Sequence, residues 1–128
     1  MKHLIMSILA ALGLGTGSCA QNEHITSVDA AQFEAAISAD SVQLIDVRTP
    51  GEYAEGHIAN AVNIDVKQPD FASKAAGTLD KDRPAYVYCR SGQRSMKAAR
   101  MLAKQGFEVV NLNGGIMEWM NAGKPVNQ

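Results

Sequence analysis

AYVYCRSGQRS, residues 85–95, carries a β-prone apolar run to a cysteine, turns through a polar, glycine-containing segment and enters a helical pattern. Ala85 to Cys89 has the β-branched and aromatic content of a buried strand. From Arg94 to Gln105 the apolar positions Met96, Ala99, Leu102 and Ala103 recur at helical spacing, with Lys97, Arg100 and Lys104 on the opposite stripe. Gly106 follows as a C-terminal stop. A strand feeding a helix through a four-residue turn, Arg90 to Gln93, predicts one βα unit of a parallel sheet, with Cys89 at the carboxyl end of its strand.

The same alternation extends outward. Towards the N-terminus, Val42 to Val47 reads as a buried strand and Pro50 opens a short helix through Tyr53, ended at Gly56. Ala61 to Ile64 reads as a short strand, and Pro69 to Ala76 as a weak helix closed by Gly77. Earlier still, Asp29-Ala-Ala-Gln32 is a capping-box pattern with Val28 and Phe33 as its staple, leading into a stripe of Phe33, Ala36 and Ile37. Towards the C-terminus, Glu108 to Leu112 is a strand, Asn113-Gly-Gly115 a turn, and Ile116, Trp119 and Met120 line a last helix. The expected fold class is α/β, a mainly parallel sheet with helices on both faces.

With 128 residues there is room for one domain. The composition is ordinary for a globular chain, 46% hydrophobic and 20% charged, and the net charge of -1 supplies no basic excess for a nucleic-acid backbone. Residues 1–20 read as a leader rather than as part of the fold. After Lys2 and His3, an uncharged run from Leu4 to Gly17 is too short for a bilayer span of about 20 residues, and its glycines argue against a buried helix. It fits the apolar region of an export signal. Cleavage after Ser18-Cys19-Ala20 suits an ordinary secretory signal; cleavage before Cys19 suits a bacterial lipoprotein, with Cys19 carrying the lipid and tethering the chain to a membrane. Both readings place the protein outside the cytoplasm, periplasmic or membrane-anchored. Residues 21–128 then form the domain, and nothing in them predicts an oligomer.

There are two cysteines, Cys19 and Cys89. With Cys19 lipidated or removed, Cys89 is left as a lone thiol in an exported chain, a candidate for reactivity. Its neighbours support that. A helix start offers unpaired N–H groups and partial positive charge, a turn of successive amides can nest an anion, and Arg90 and Arg94 add cationic charge. Gly92 lets the turn adopt positive φ. Each of these favours thiolate over thiol.

Together the motifs resemble a single-domain rhodanese. Asp46-Val-Arg48-Thr-Pro-Gly-Glu52-Tyr53 with Gly56-His57-Ile58-Ala-Asn60-Ala61 and Asn63 is similar to that family's upstream motif; CRSGQRS is similar to its active loop; Leu112-Asn-Gly-Gly-Ile116, Trp119, Ala122-Gly123 and Pro125-Val126 are similar to its ending. The resemblance spans about Ile25 to Val126 and implies a five-stranded parallel sheet. It also implies a sulfurtransferase in which Cys89 takes sulfane sulfur from thiosulfate or a related donor as a persulfide and passes it to a thiophilic acceptor, with no metal and no organic cofactor. On this reading Cys89 is the nucleophile, and Arg90, Ser91, Gly92, Gln93, Arg94 and Ser95 bind the substrate, chiefly through their amides. Asp46, Arg48, Glu52 and His57 read as structural support, His57 as a general base being the sharper alternative. Small-molecule donor and acceptor are the expected partners. Two other functions remain open: a rhodanese-like binding module without chemistry, and a cysteine phosphatase or arsenate reductase, whose Cys-x5-Arg loop is one residue longer than the spacing from Cys89 to Arg94.

Overall fold

A computed structural model describes residues 23–39 and 42–128; the leader reading of residues 1–20, Cys19 included, lies outside the described residues. The elements run β1 (Ile25–Val28), α1 (Ala30–Ile37), β2 (Gln43–Asp46), α2 (Pro50–Glu55), β3 (Val62–Asn63), α3 (Phe71–Thr78), β4 (Ala85–Tyr88), α4 (Gln93–Lys104), β5 (Val109–Leu112) and α5 (Gly115–Asn121). The five strands are ordered β1-β5-β4-β2-β3 and every pairing is parallel. The α/β class with a parallel five-stranded sheet is therefore as expected. Its fifth strand, β1, lies on an edge, and the residue pattern alone had not identified it.

Strand alternation sends successive side chains to opposite faces. Ala85, Val87 and Cys89 join Phe71, Ala75, Ala98, Ala99, Leu102 and Phe107 in one core under α3 and α4. Tyr86 and Tyr88 join Phe33, Ile58, Ala61, Ile116 and Trp119 in the other, under α1 and α5. Central strands packed on both sides explain why β2, β4 and β5 are buried at every position. Phe33 meets Tyr86 and Trp119 edge-on at ring separations of 6.0 and 6.4 Å, which ties α1 and α5 to the sheet.

Local signals were accurate where side chains close a helix on themselves. Asp29 Oδ1 accepts from Gln32 N at 2.8 Å and Gln32 Oε1 accepts from Asp29 N at 3.1 Å, the expected capping box. Where packing decides, boundaries and faces shift. Helix α3 starts two residues later than expected and runs through Gly77, stopping where Leu79 turns in against the core with its N–H on Ala75 O at 2.9 Å. Helix α4 buries Ser95, Ala98, Ala99, Leu102 and Ala103, while Met96 is only half-buried. Met120 is 44% exposed, because Ile116 and Trp119 already fill the space over Phe33.

Candidate active site

Strand β4 ends at Tyr88, whose carbonyl is held by Val47 N–H at 3.0 Å, and the chain then delivers Cys89 to the carboxyl edge of the sheet. Gly92 is the N-cap of α4, with φ of 103° and no side-chain cap. The first backbone bond of this helix runs from Met96 N to Gly92 O at 3.2 Å, so the N–H groups of Gln93, Arg94 and Ser95 precede the intrahelical ladder. Gly92 N–H instead points back and donates to Cys89 Sγ at 3.0 Å.

Positive φ here is one reason for glycine, and space is another. A Cβ on Gly92 would lie 2.1 Å from Asn113 O. The turn after β5 is pressed against the loop from beneath, and Gly115, with φ of 66°, makes that approach possible: its Cβ would lie 2.3 Å from Arg90 O and 2.7 Å from Cys89 O. The first amides of α5 hold those carbonyls, Ile116 N on Cys89 O at 2.9 Å and Met117 N on Arg90 O at 3.1 Å. Pulling the carbonyls of residues 89 and 90 down towards α5 leaves the opposite side of the loop to N–H groups. The Gly115 support was not foreseen from sequence; two consecutive glycines opening a helix were its only local signal.

The thiol of Cys89 is buried, 1% exposed, and burial alone raises a thiol's pKa. Hydrogen bonds from the Ser95 hydroxyl and from the amides of Ser95, Gly92 and Ser91 outweigh that penalty, and the net shift is downward. The Ser95 hydroxyl also lies 3.2 Å from Gly92 O. It has one proton to give, and a charged sulfur is the stronger claimant. The described cysteine is therefore free, enclosed and biased towards thiolate.

The two loop arginines differ. Arg90 is exposed and has no side-chain partner among the described residues. Arg94 makes a bidentate ion pair with Glu52 on α2, Nη1 to Oε1 at 2.7 Å and Nη2 to Oε2 at 2.9 Å. Glu52 is in turn fixed by Thr49, whose N–H and hydroxyl each donate to Oε1 at 3.1 Å. The Arg94 guanidinium, with help from Thr49, draws the Glu52 carboxyl down to about 2, and Glu52 raises Arg94 in return. The Cys89 charge acts on Arg94 in the same direction, which puts the guanidinium within electrostatic reach of the sulfur.

Asp46 and Arg48 lie deeper, 0% and 5% exposed. Arg48 Nε and Nη2 reach Asp46 Oδ1 and Oδ2 at 2.9 and 2.6 Å, and Nη2 also donates to Gly56 O at 2.6 Å. Burial works against the Arg48 charge, and Asp46 more than offsets it. Asn63 Nδ2 donates to the carbonyls of both residues, at 3.0 and 2.9 Å. Tyr88 lies beside the pair and accepts from Ile58 N–H at 3.0 Å, a contact across 30 residues of chain that has no local signal in the sequence. This network fixes the chain after β2. His57 is elsewhere engaged: its ring stacks on Tyr53 at 3.8 Å, Nδ1 donates to Tyr53 O at 2.9 Å, and its backbone pairs with Asn127. Among the described residues no cluster of His, Cys, Asp or Glu is arranged to hold a metal.

Known proteins are similar to this chain in sequence and in fold. The family model for the rhodanese-like domain matches residues 29–122. YtwF of Bacillus subtilis is 43% identical over 105 residues, covering 81% of this chain and 99% of its own. A protein of Shewanella oneidensis named thiosulfate sulfurtransferase GlpE is 38% identical over 85 residues, covering 66% of this chain and 81% of its own. Among solved structures, a rhodanese-related protein from Thermoplasma volcanium superposes with a TM-score of 0.70 at 33% identity, covering 80% of this chain and 97% of its own.

Proposed function

Since the chain belongs to the rhodanese-like domain family, we propose that it is a sulfurtransferase that carries sulfane sulfur as a persulfide on Cys89. The observation that carries the reading is the Gly92 N–H directed onto Sγ at 3.0 Å, at a helix start with no side-chain cap. In the first half-reaction the Cys89 thiolate attacks the outer sulfur of thiosulfate or a related donor. A new S–S bond forms, the donor's S–S bond breaks, and sulfite leaves with the electron pair. In the second, a thiophilic acceptor such as cyanide or a thiol takes the outer sulfur and restores the thiolate. The amides of residues 91, 92 and 95 stabilise negative charge on both sulfur species, and ping-pong kinetics follow. Neither half-reaction calls for a metal or an organic cofactor.

On the same proposal residues 1–20 carry an export signal, either of lipoprotein type with Cys19 as the point of lipid attachment or of ordinary secretory type, and residues 21–128 act as a monomer on small molecules in the periplasm or at a membrane, without nucleic acid. Mass spectrometry after thiosulfate treatment tests the chemistry: Cys89 gains one sulfur and loses it to cyanide, and Cys89→Ser does neither. Aryl phosphate hydrolysis measured alongside stays at background. An unchanged mass on wild-type protein after both thiosulfate and an alkyl persulfide, or phosphatase activity in place of sulfur transfer, overturns the proposal.

A further inference from the structure

Arg90 and Arg94 flank the same thiol, yet only one of them has its charge free. Arg94 is held through both Nη groups by Glu52, and Glu52 is itself held by the N–H and hydroxyl of Thr49, the N-cap of α2. Asp65 adds a second negative charge acting on the same guanidinium. An arginine held bidentately does not turn to a new anion without breaking two charge-assisted bonds. The net positive charge presented to an incoming donor is then that of exposed Arg90 and the helix start, the Arg94 charge being balanced by Glu52.

We propose that Glu52 sets donor preference by neutralising Arg94, so that the site favours sulfane donors of low charge, alkyl persulfides R–S–SH, over dianionic thiosulfate. This rests on the sulfurtransferase reading and names its substrate class. With the Arg94 charge balanced by Glu52, a dianion forfeits twice the attraction that a monoanion does, and the protonated persulfide R–S–SH forfeits none. The step balances as Cys89–S⁻ attacks the outer sulfur of R–S–SH: the Cys89–S bond forms, the donor S–S bond breaks, and R–S⁻ departs with the electron pair while the transferred sulfur keeps its proton.

The test compares kcat/KM for thiosulfate and for hydroxyethyl persulfide in the full chain, in Glu52→Gln, and in Glu52→Gln with Arg94→Gln. Glutamine keeps an oxygen for the Thr49 donors, so α2 retains its cap. Wild type prefers the persulfide. Glu52→Gln frees Arg94 and raises kcat/KM for thiosulfate about tenfold through KM, while the persulfide changes by less than about threefold. The second substitution abolishes that gain, and added salt reduces it. Equal changes for both donors, or a gain that survives loss of Arg94, overturn the proposal and leave the sulfurtransferase reading standing. Should Glu52→Gln not fold, a wild-type preference for thiosulfate overturns it alone. Absence of Cys89-dependent transfer from either donor defeats the underlying function as well.

Discussion

Two strand-to-helix crossings lie side by side on the carboxyl edge of the sheet, β2 into α2 and β4 into α4, on neighbouring parallel strands. The first closes on itself. Thr49 and Glu52 form a reciprocal capping box, Pro50 removes a donor that needs no partner, and Asp46 with Arg48 neutralises the interior below. The second is left open: Gly92 supplies no side-chain cap, and the donors at the helix start converge on a sulfur instead. The difference teaches where the anion belongs. At the first crossing the carboxylates are built in; at the second the anion is the Cys89 thiolate and its sulfur cargo.

Breaking the closed crossing from within has the largest expected effect. Asp46→Asn leaves Arg48 charged and 5% exposed without its counter-ion. Removing one partner of a buried pair costs about 3–5 kcal/mol. Urea unfolding should therefore lose much of the stability, while Cys89 alkylation rates in the folded protein change little. A variant that keeps its stability shows that Arg48 finds another partner, and the first crossing then does not depend on its built-in carboxylate.

Next comes the opposite crossing, through Gly92→Ala. The substitution places a Cβ at positive φ and 2.1 Å from Asn113 O, so the β5–α5 turn has to move. A cost of about 3 kcal/mol is expected, together with loss of sulfur transfer, because the displaced amide is the one that donates to Sγ. Retained activity would show that the amide is dispensable.

Ser95→Ala sharpens the comparison without deforming it. The hydroxyl is the strongest of the contacts that lower the Cys89 pKa, so its removal raises that pKa, and the pH midpoint of iodoacetamide alkylation moves up. A thiol depressed in the folded state stabilises the fold fully above its unfolded value of about 8.5, and that contribution is lost as pH falls through the folded value. Wild-type stability thus rises with pH across that interval, and Ser95→Ala flattens the rise. An unmoved midpoint assigns the hydroxyl to Gly92 O alone.

Much of this was legible from sequence because it is local. The capping box at Asp29, the strand ending on Cys89, the glycine turn and the helical stripe of α4 each depend on residues within one or two turns of chain. The family resemblance likewise rests on contiguous motifs. What could not be read is through-space. Glu52 and Arg94 are 42 residues apart, and nothing in their neighbourhoods says that one occupies the charge of the other. Gly115 looks like any turn glycine until the carbonyls of residues 89 and 90 are found against it. Strand β1 has only four residues, and its place depends on pairing with β5 rather than on its own pattern.

The smallest effect bears most directly on how the two crossings are joined. Thr49→Ala removes the hydroxyl that donates to Glu52 Oε1 and accepts from Glu52 N at 3.3 Å. Loss of such a cap costs about 1 kcal/mol, a modest shift in the urea midpoint. Its further consequence is on the open side. With Thr49 N–H still in place but the hydroxyl gone, Glu52 is held from α2 by one bond instead of two, and its carboxylate can follow Arg94 outward. Thermal unfolding should shift slightly while the salt sensitivity of thiosulfate turnover increases, since a looser pair is more readily screened. If stability falls by the expected amount and salt sensitivity is unchanged, the capping box serves α2 alone, and the two crossings are neighbours without being coupled.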